Sequence, residues 1–95
     1  MKPIRWSEEK NQLLIMQRGL SFEMVLEKIE NQEIIERRTH PDTKRYAHQF
    51  IFVVALDGYI CYVPFVENEE EIFLKTIIPS RKLHKAYGGD SHEKR

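Results

Sequence analysis

The sequence predicts an α+β fold in which two N-terminal helices pack on an antiparallel meander sheet of about four strands, followed by a short C-terminal helix. Three observations support this prediction. Apolar residues recur at helical spacing between Phe22 and Ile29. Two apolar runs flank the dipeptide Asp57-Gly58, a pattern typical of a β-hairpin. A basic segment that starts at Arg81 directly follows a further apolar run, which favours a last strand and a terminal helix.

Capping residues delimit the two N-terminal helices. The first helix is predicted to begin near Glu8, because the Ser7 hydroxyl can accept a free backbone N–H and acidic residues favour the positive helix end. It is predicted to end at Arg18, where Gly19 suits a left-handed C-terminal cap. The second helix is predicted to begin after Ser21. Its apolar stripe, predicted to be core, comprises Phe22, Val25, Leu26 and Ile29.

The remaining elements are predicted as strands. The short β-branched segment 33–37 predicts a strand, and the polar, proline-containing segment 38–44 predicts a loop. Segments 49–56 and 59–66 predict the two strands of the hairpin, and segment 72–78 predicts the last strand.

The hairpin turn also predicts which side chains share a face of the sheet. With Asp57-Gly58 as the turn, the facing pairs are Leu56 with Tyr59, Val54 with Cys61, Phe52 with Val63, and Phe50 with Phe65. We expect this bulky face to pack on the helices. The reverse face is also mostly apolar and comprises Gln49, Ile51, Val53, Ala55, Ile60, Tyr62 and Pro64. We therefore expect the terminal helix, a partner chain or a substrate to cover it.

Composition restricts the class of protein. The chain has 95 residues, which predicts one domain over residues 1–87 with a flexible tail over 88–95. Its 15 basic and 15 acidic residues balance, and no run is long and apolar enough for a membrane span or a secretory signal, so a cytoplasmic location is expected. Cys61 is the single cysteine and is predicted to pack in the core. The four histidines are scattered, so neither a metal site nor a cofactor is predicted.

The basic, histidine and tyrosine side chains together suit RNA cleavage. Attack of a 2′-hydroxyl on the adjacent phosphate needs a base, an acid and cations over the developing negative charge, and it needs no metal. Histidine can transfer both protons, and arginine or lysine can supply the positive charge. The candidate residues are Lys44, Arg45, His48, Tyr62, Lys75, Arg81, Lys82 and His84.

Each candidate has an expected role and a structural alternative. Arg81 is the expected phosphate clamp, and His48 or His84 the expected proton-transfer residue. Tyr62 offers a ring on which a base can stack, a contact worth roughly 1–3 kcal/mol. The lysines, with Arg45, would bind the RNA backbone. Alternatively, the loop cations are simply solvated and Tyr62 covers the sheet. His48 is two residues from Phe50, so its side chain can instead pack on the same face of the sheet.

Three short motifs resemble those of a known family. Trp6 is followed four residues on by Lys10, and then by the segment 18–22, which reads Arg-Gly-Leu-Ser-Phe. Near the C-terminus, segment 77–81 reads Ile-Ile-Pro-Ser-Arg, and Arg45-Tyr46 precedes the central strands. In this order and spacing, the motifs resemble those of the BrnT-type toxins of bacterial type II toxin–antitoxin pairs.

The resemblance implies a fold, an activity and a partner. It implies a RelE-like fold, a growth-inhibiting endoribonuclease that cleaves RNA, with mRNA the expected substrate, and a cognate antitoxin encoded next to it that forms a hetero-oligomer with the toxin. The alternative is a module of the same fold without catalysis that binds a partner or nucleic acid.

Overall fold

The computed structural model describes residues 2–87. Along the chain, the elements are β1 (Ile4–Trp6), α1 (Glu8–Arg18), α2 (Phe22–Glu30), β2 (Glu36–Thr39), β3 (Gln49–Leu56), β4 (Tyr59–Glu67), β5 (Ile72–Leu74), β6 (Ile78–Pro79) and α3 (Arg81–Tyr87). The strands form one sheet in the order β1-β5-β4-β3-β2, and β6 also pairs with β4.

The α+β class is confirmed. The predicted antiparallel meander of about four strands is wrong, both in the number of strands and in the relative direction of two of them. The sheet has six strands and is mixed, because β1 pairs in parallel with β5, Ile4 opposite Ile72 and Trp6 opposite Leu74. With only three residues, β1 is too short for a recognisable alternation of apolar and polar side chains. It forms a strand because it pairs with β5, which is distant in the sequence.

The predicted last strand, 72–78, is split into β5 and β6. Proline has no N–H to donate to a ladder, and Pro64 lies in β4 between the residues that pair with β5 and those that pair with β6. Its carbonyl oxygen still accepts the Lys75 N–H at 2.8 Å. The chain therefore leaves the ladder opposite Pro64 and rejoins it at Ile78.

The strand predicted over 33–37 lies further along the chain, at Glu36–Thr39. Residues 33–35 have no regular secondary structure and follow directly on the end of α2, where Asn31 is the C-cap, Gln32 has a positive φ of 59° and the Glu33 N–H donates to the Lys28 carbonyl at 2.8 Å. Pairing with β3 sets the position of β2, with Glu36 opposite Val53 and Thr39 opposite Phe50. Part of the predicted loop is therefore strand.

Both N-terminal helices form as predicted. Ser7 accepts the Lys10 N–H at 3.2 Å, and Ser21 accepts the Met24 N–H at 3.3 Å, so each hydroxyl caps a helix. Gly19 ends α1 in the left-handed region, at φ 68°.

The hairpin register is the predicted one, from Leu56 opposite Tyr59 to Phe50 opposite Phe65. The bulky face forms the core with the two helices and the connection between them, which together contribute Leu14, Leu20, Phe22 and Val25. Cys61 is fully buried in this core, and burial raises the pKa of its thiol to about 11.

Helix α3 covers part of the reverse face, which was one of the three expected possibilities. Val53 and Ile60 are buried on that face, and the Ser80 N–H donates to the Ile60 carbonyl at 3.0 Å just before α3 begins. Within residues 2–87, no helix has the length and apolar character needed to cross a bilayer. The predicted tail, 88–95, lies outside the described residues.

Candidate nucleic-acid groove

An open groove of about 620 Å³ lies between α3 and the reverse face of the sheet, and we call it the α3 groove. The sheet supplies an apolar wall, and α3 supplies the opposite side. Cationic and aromatic side chains also line it, a combination suited to a nucleic-acid strand. The lining residues are Arg38, Pro41, Ile51, Val53, Tyr62, Ser80, Lys82, Leu83, Ala86 and Tyr87.

Three polar side chains form a cluster beside this groove, which we call the Glu36 cluster: Glu36, Arg38 and Tyr87. Glu36 and Arg38 are two residues apart on β2, so both point to the reverse face. Arg38 Nη2 lies 3.1 Å from Glu36 Oε1 and 3.3 Å from the Tyr87 hydroxyl. That hydroxyl donates to Glu36 Oε1. The cluster therefore connects the end of α3 to the edge strand β2.

The electrostatics of the cluster fix its charge state. Hydrogen bonding to Arg38, and then to Tyr87, lowers the pKa of the Glu36 carboxyl. The same contacts raise the pKa of Arg38, with Glu36 the larger cause. Among residues 2–87, neither Glu36 Oε2 nor Arg38 Nη1 has a hydrogen-bond partner. An ionised acceptor and a guanidinium donor thus remain available side by side.

Of the predicted site residues, Tyr62 and Lys82 line the α3 groove. Arg81 is the first residue of α3, directly before Lys82; its side chain is exposed and does not line the groove. The structure therefore brings Tyr62 and Lys82 together at the groove and places Arg81 next to Lys82 on the same helix.

His84 lies on α3 and holds the helix against the hairpin. Its Nδ1 accepts the Ile60 N–H at 3.3 Å, and its ring stacks on Tyr59 with centroids 4.1 Å apart. A ring whose Nδ1 accepts a hydrogen bond carries its proton on Nε2. Nε2 is therefore the ring nitrogen that can donate a hydrogen bond to a ligand.

Lys44 and Arg45 are exposed in the loop between β2 and β3. The loop folds on Asp42, whose side chain accepts the Arg45 N–H at 3.2 Å and whose carbonyl accepts the Tyr46 N–H at 3.0 Å. Pro41 of the same loop lines the α3 groove, whereas the two cations do not.

His48 and Lys75 lie elsewhere. His48 lines a second groove of about 370 Å³, together with Arg37, Phe50 and Glu67, whose side chains lie on the helix-covered face of the sheet. Lys75 is exposed beyond the end of β5 and lines neither groove. The two histidines predicted for proton transfer are therefore on opposite faces of the sheet.

No match is found among protein-family models, curated proteins or solved structures.

The Glu36 cluster is not among the sites that the sequence predicts. Its available signal was alternation: residues 36 and 38 share a face of any strand that contains both. Because the sequence predicts the strand over 33–37, it predicts Arg38 as part of the loop. Tyr87 is 49 residues from Arg38, and nothing local in the sequence indicates that pairing.

Proposed function

We propose that this chain is the toxin component of a type II toxin–antitoxin pair in the cytoplasm, acting as a metal-independent endoribonuclease on single-stranded RNA, with mRNA the expected substrate. The α3 groove carries the proposal, because its cations and aromatic rings line one open channel. Single-stranded nucleic acid binds to such channels through phosphate charge and base stacking. The motif resemblance to BrnT-type toxins of RelE-like fold supports the same function.

In the proposed complex, the RNA backbone runs along the start of α3. Arg81 and Lys82 are adjacent there and exposed, so both ammonium and guanidinium groups can reach phosphate oxygens. Tyr62 lies across the groove on β4 and provides a surface for a base. Lys44 and Arg45, on the neighbouring loop, add positive charge that attracts the strand from solution.

The proposed reaction is transfer of the phosphoryl group to the neighbouring 2′-oxygen. The 2′-hydroxyl gives its proton to water as its oxygen forms a bond to phosphorus, and the bond to the 5′-oxygen breaks. The products are a 2′,3′-cyclic phosphate and, after the 5′-oxygen takes up a proton, a free 5′-hydroxyl. Arg81 stabilises the negative charge that develops on the phosphate. His84 lies on the same helix, and because its Nδ1 accepts the Ile60 N–H, its Nε2–H can donate a hydrogen bond to the leaving 5′-oxygen, which takes its proton from water. His48, on the other face, has no part in this scheme.

Cleavage of a fluorescent single-stranded RNA by the purified chain tests the proposal. Arg81→Ala should reduce the rate by about a hundredfold, the typical effect of removing one charge-stabilising donor. Lys85→Ala is the matched control, since Lys85 is also an exposed cation on α3. It should change the rate little. Expression of the chain without a partner should stop growth, and Arg81→Ala should relieve the arrest.

Intact RNA and unaffected growth, with folded protein present, would overturn the ribonuclease proposal. An equal loss of rate in the Arg81 and Lys85 variants would show that Arg81 contributes only general charge.

A second candidate is a binding module without catalysis. The positions of the two candidate histidines favour it: His84 Nδ1 accepts the Ile60 N–H and so cannot accept a proton from the 2′-hydroxyl, and His48 lines the second groove. Under this alternative, RNA binds without being cleaved. Arg81→Ala then weakens binding modestly and reduces its salt dependence by about one phosphate contact.

A further inference from the structure

We propose that the Glu36 cluster recognises a guanine base of the bound strand. This inference rests on the proposed function, because it assumes that the α3 groove binds single-stranded RNA. It adds the base that the groove selects and the two side chains that select it, Glu36 and Arg38.

The cluster presents an acceptor and a donor in fixed positions. Oε1 of Glu36 is occupied by Arg38 Nη2 and the Tyr87 hydroxyl, which orients the carboxylate. Oε2 of Glu36 and Nη1 of Arg38 have no hydrogen-bond partner within residues 2–87. The side chains are 38% and 44% exposed, so a ligand in the groove can reach them. Because Arg38 holds the pKa of Glu36 low, the carboxyl is ionised at neutral pH and accepts hydrogen bonds.

Guanine is complementary to this pair of groups. Around its edge, two donors, N2–H and N1–H, are followed by two acceptors, O6 and N7. The free Oε2 of Glu36 can accept from both N–H groups, and the two hydrogens of Arg38 Nη1 can donate to O6 and N7, the two acceptors that arginine contacts most often in guanine. Along the edges of adenine and uracil, donors and acceptors alternate, and cytosine has two acceptors beside a single amino donor. Those bases therefore satisfy Glu36 and Arg38 less completely than guanine does.

The groove next to the cluster suits the rest of the nucleotide. The apolar wall formed by Ile51 and Val53 excludes water from one side of the base, which strengthens the polar contacts at its edge. Tyr62 on the adjacent strand offers a stacking face, and Lys82 across the groove offers a cation for a phosphate. Recognition of the base edge and binding of the backbone thus use different residues.

Binding to uncleavable RNA tests this inference separately from catalysis. The probes are fluorescent 2′-O-methyl hexauridylates that carry one central G, A, C or U, and the readout is anisotropy. The G probe should bind on the order of tenfold more tightly than the other three, the discrimination expected of one bidentate base contact.

Variants assign the preference to the cluster. Glu36→Gln removes the charged acceptor, and Arg38→Lys removes the donor fork while keeping the charge; each should bring binding of the G probe to the level of the A probe. Arg37→Lys is the matched control, because Arg37 is the intervening residue on β2 but pairs with Glu67 on the other face. It should preserve the preference. Circular dichroism confirms that each variant is folded.

The outcomes separate the two proposals. Equal binding of all four probes by the folded wild-type chain overturns guanine recognition and leaves the ribonuclease proposal standing if RNA is cleaved. Preference for G without cleavage of ordinary RNA supports guanine recognition and overturns the ribonuclease. A preference for G that survives both Glu36→Gln and Arg38→Lys overturns the assignment to the cluster. Binding of no probe overturns guanine recognition and RNA binding in this groove.

Discussion

Asn11 shows how one side chain can fix the relative position of two helices. It is the fully buried polar residue of the described core. Its Oδ1 accepts the Phe22 N–H at 2.7 Å, and its Nδ2 donates to Glu23 Oε1 at 2.8 Å. A side chain of α1 thereby satisfies a backbone donor at the start of α2, where a helix leaves its first N–H groups without internal partners.

Replacing Asn11 by alanine should therefore destabilise the fold by about 2–3 kcal/mol, since the buried Phe22 N–H loses its acceptor and the core gains a small void. Urea denaturation followed by circular dichroism measures the change. Gln17→Ala, an exposed amide on the same helix, is the control and should stay within about 0.5 kcal/mol of the wild type. A loss equal to that of the control would mean that water or another group replaces the acceptor.

The β3–β4 hairpin is the element that its own sequence determines most completely. Asp57 and Gly58 both have positive φ, 54° and 80°, as a two-residue turn matched to the twist of the strands requires. Since side chains alternate along a strand, this turn sets which residues face the helices and which face α3.

Gly58→Ala tests the contribution of the turn. Nothing lies within 4 Å of an added Cβ, so the cost arises from the backbone conformation alone and should be about 1 kcal/mol. Asp57→Asn is the matched variant, because asparagine tolerates positive φ, and its stability should equal or slightly exceed that of the wild type. Thermal or urea denaturation measures both. Loss of stability in Asp57→Asn comparable to that in Gly58→Ala would contradict this account of the turn.

The elements differ in how far local sequence predicts them. Caps and apolar spacing predict α1 and α2, and the turn predicts β3 and β4, because each signal lies within the element itself. In contrast, β1 depends on pairing with β5, and the break between β5 and β6 depends on Pro64 in β4. Such non-local pairing leaves no local pattern to read.

At the scale of the whole molecule, the sheet separates two environments. Helices α1 and α2 pack on one face, and α3 with its groove lies on the other. The sequence predicts Tyr62 as an RNA-binding residue on the reverse face of the sheet and Lys82 as an RNA-binding residue of the basic segment. Both side chains line the groove. The sequence does not predict the Glu36 cluster, because the partners come from β2 and α3 and meet only when α3 folds back over the sheet. Residue type thus indicates which side chains could bind RNA, and the tertiary structure determines which of them line the groove.

On the helix-covered face, Glu67 joins three distant parts of the chain. Its carboxylate binds Lys2 Nζ at 2.7 Å and Arg37 Nη2 at 2.8 Å, so the end of β4 is tied to the N-terminal segment and to β2. The Arg37 guanidinium also lies 4.3 Å from the centroid of the Phe50 ring. These contacts lower the pKa of Glu67 below its ordinary value of 4.5, with Lys2 the larger cause and Arg37 the second.

A lowered pKa makes the contribution of Glu67 to stability depend on pH in a defined direction. The carboxylate stabilises the fold above pH 4.5, the ordinary value of its pKa, and this contribution is lost as the pH falls through the folded-state pKa.

Glu67→Gln should therefore reduce the free energy of unfolding by about 1 kcal/mol at neutral pH, because both ion pairs are partly exposed to solvent. As the pH falls through the folded-state pKa, the variant and the wild type should converge, since both side chains are then neutral. Urea denaturation at neutral pH and over an acid pH series measures the difference, with Glu69→Gln as a control because Glu69 forms no ion pair among residues 2–87. A difference that is the same at neutral pH and throughout the acid series would mean that Glu67 acts through packing and that its charge does not join the three segments.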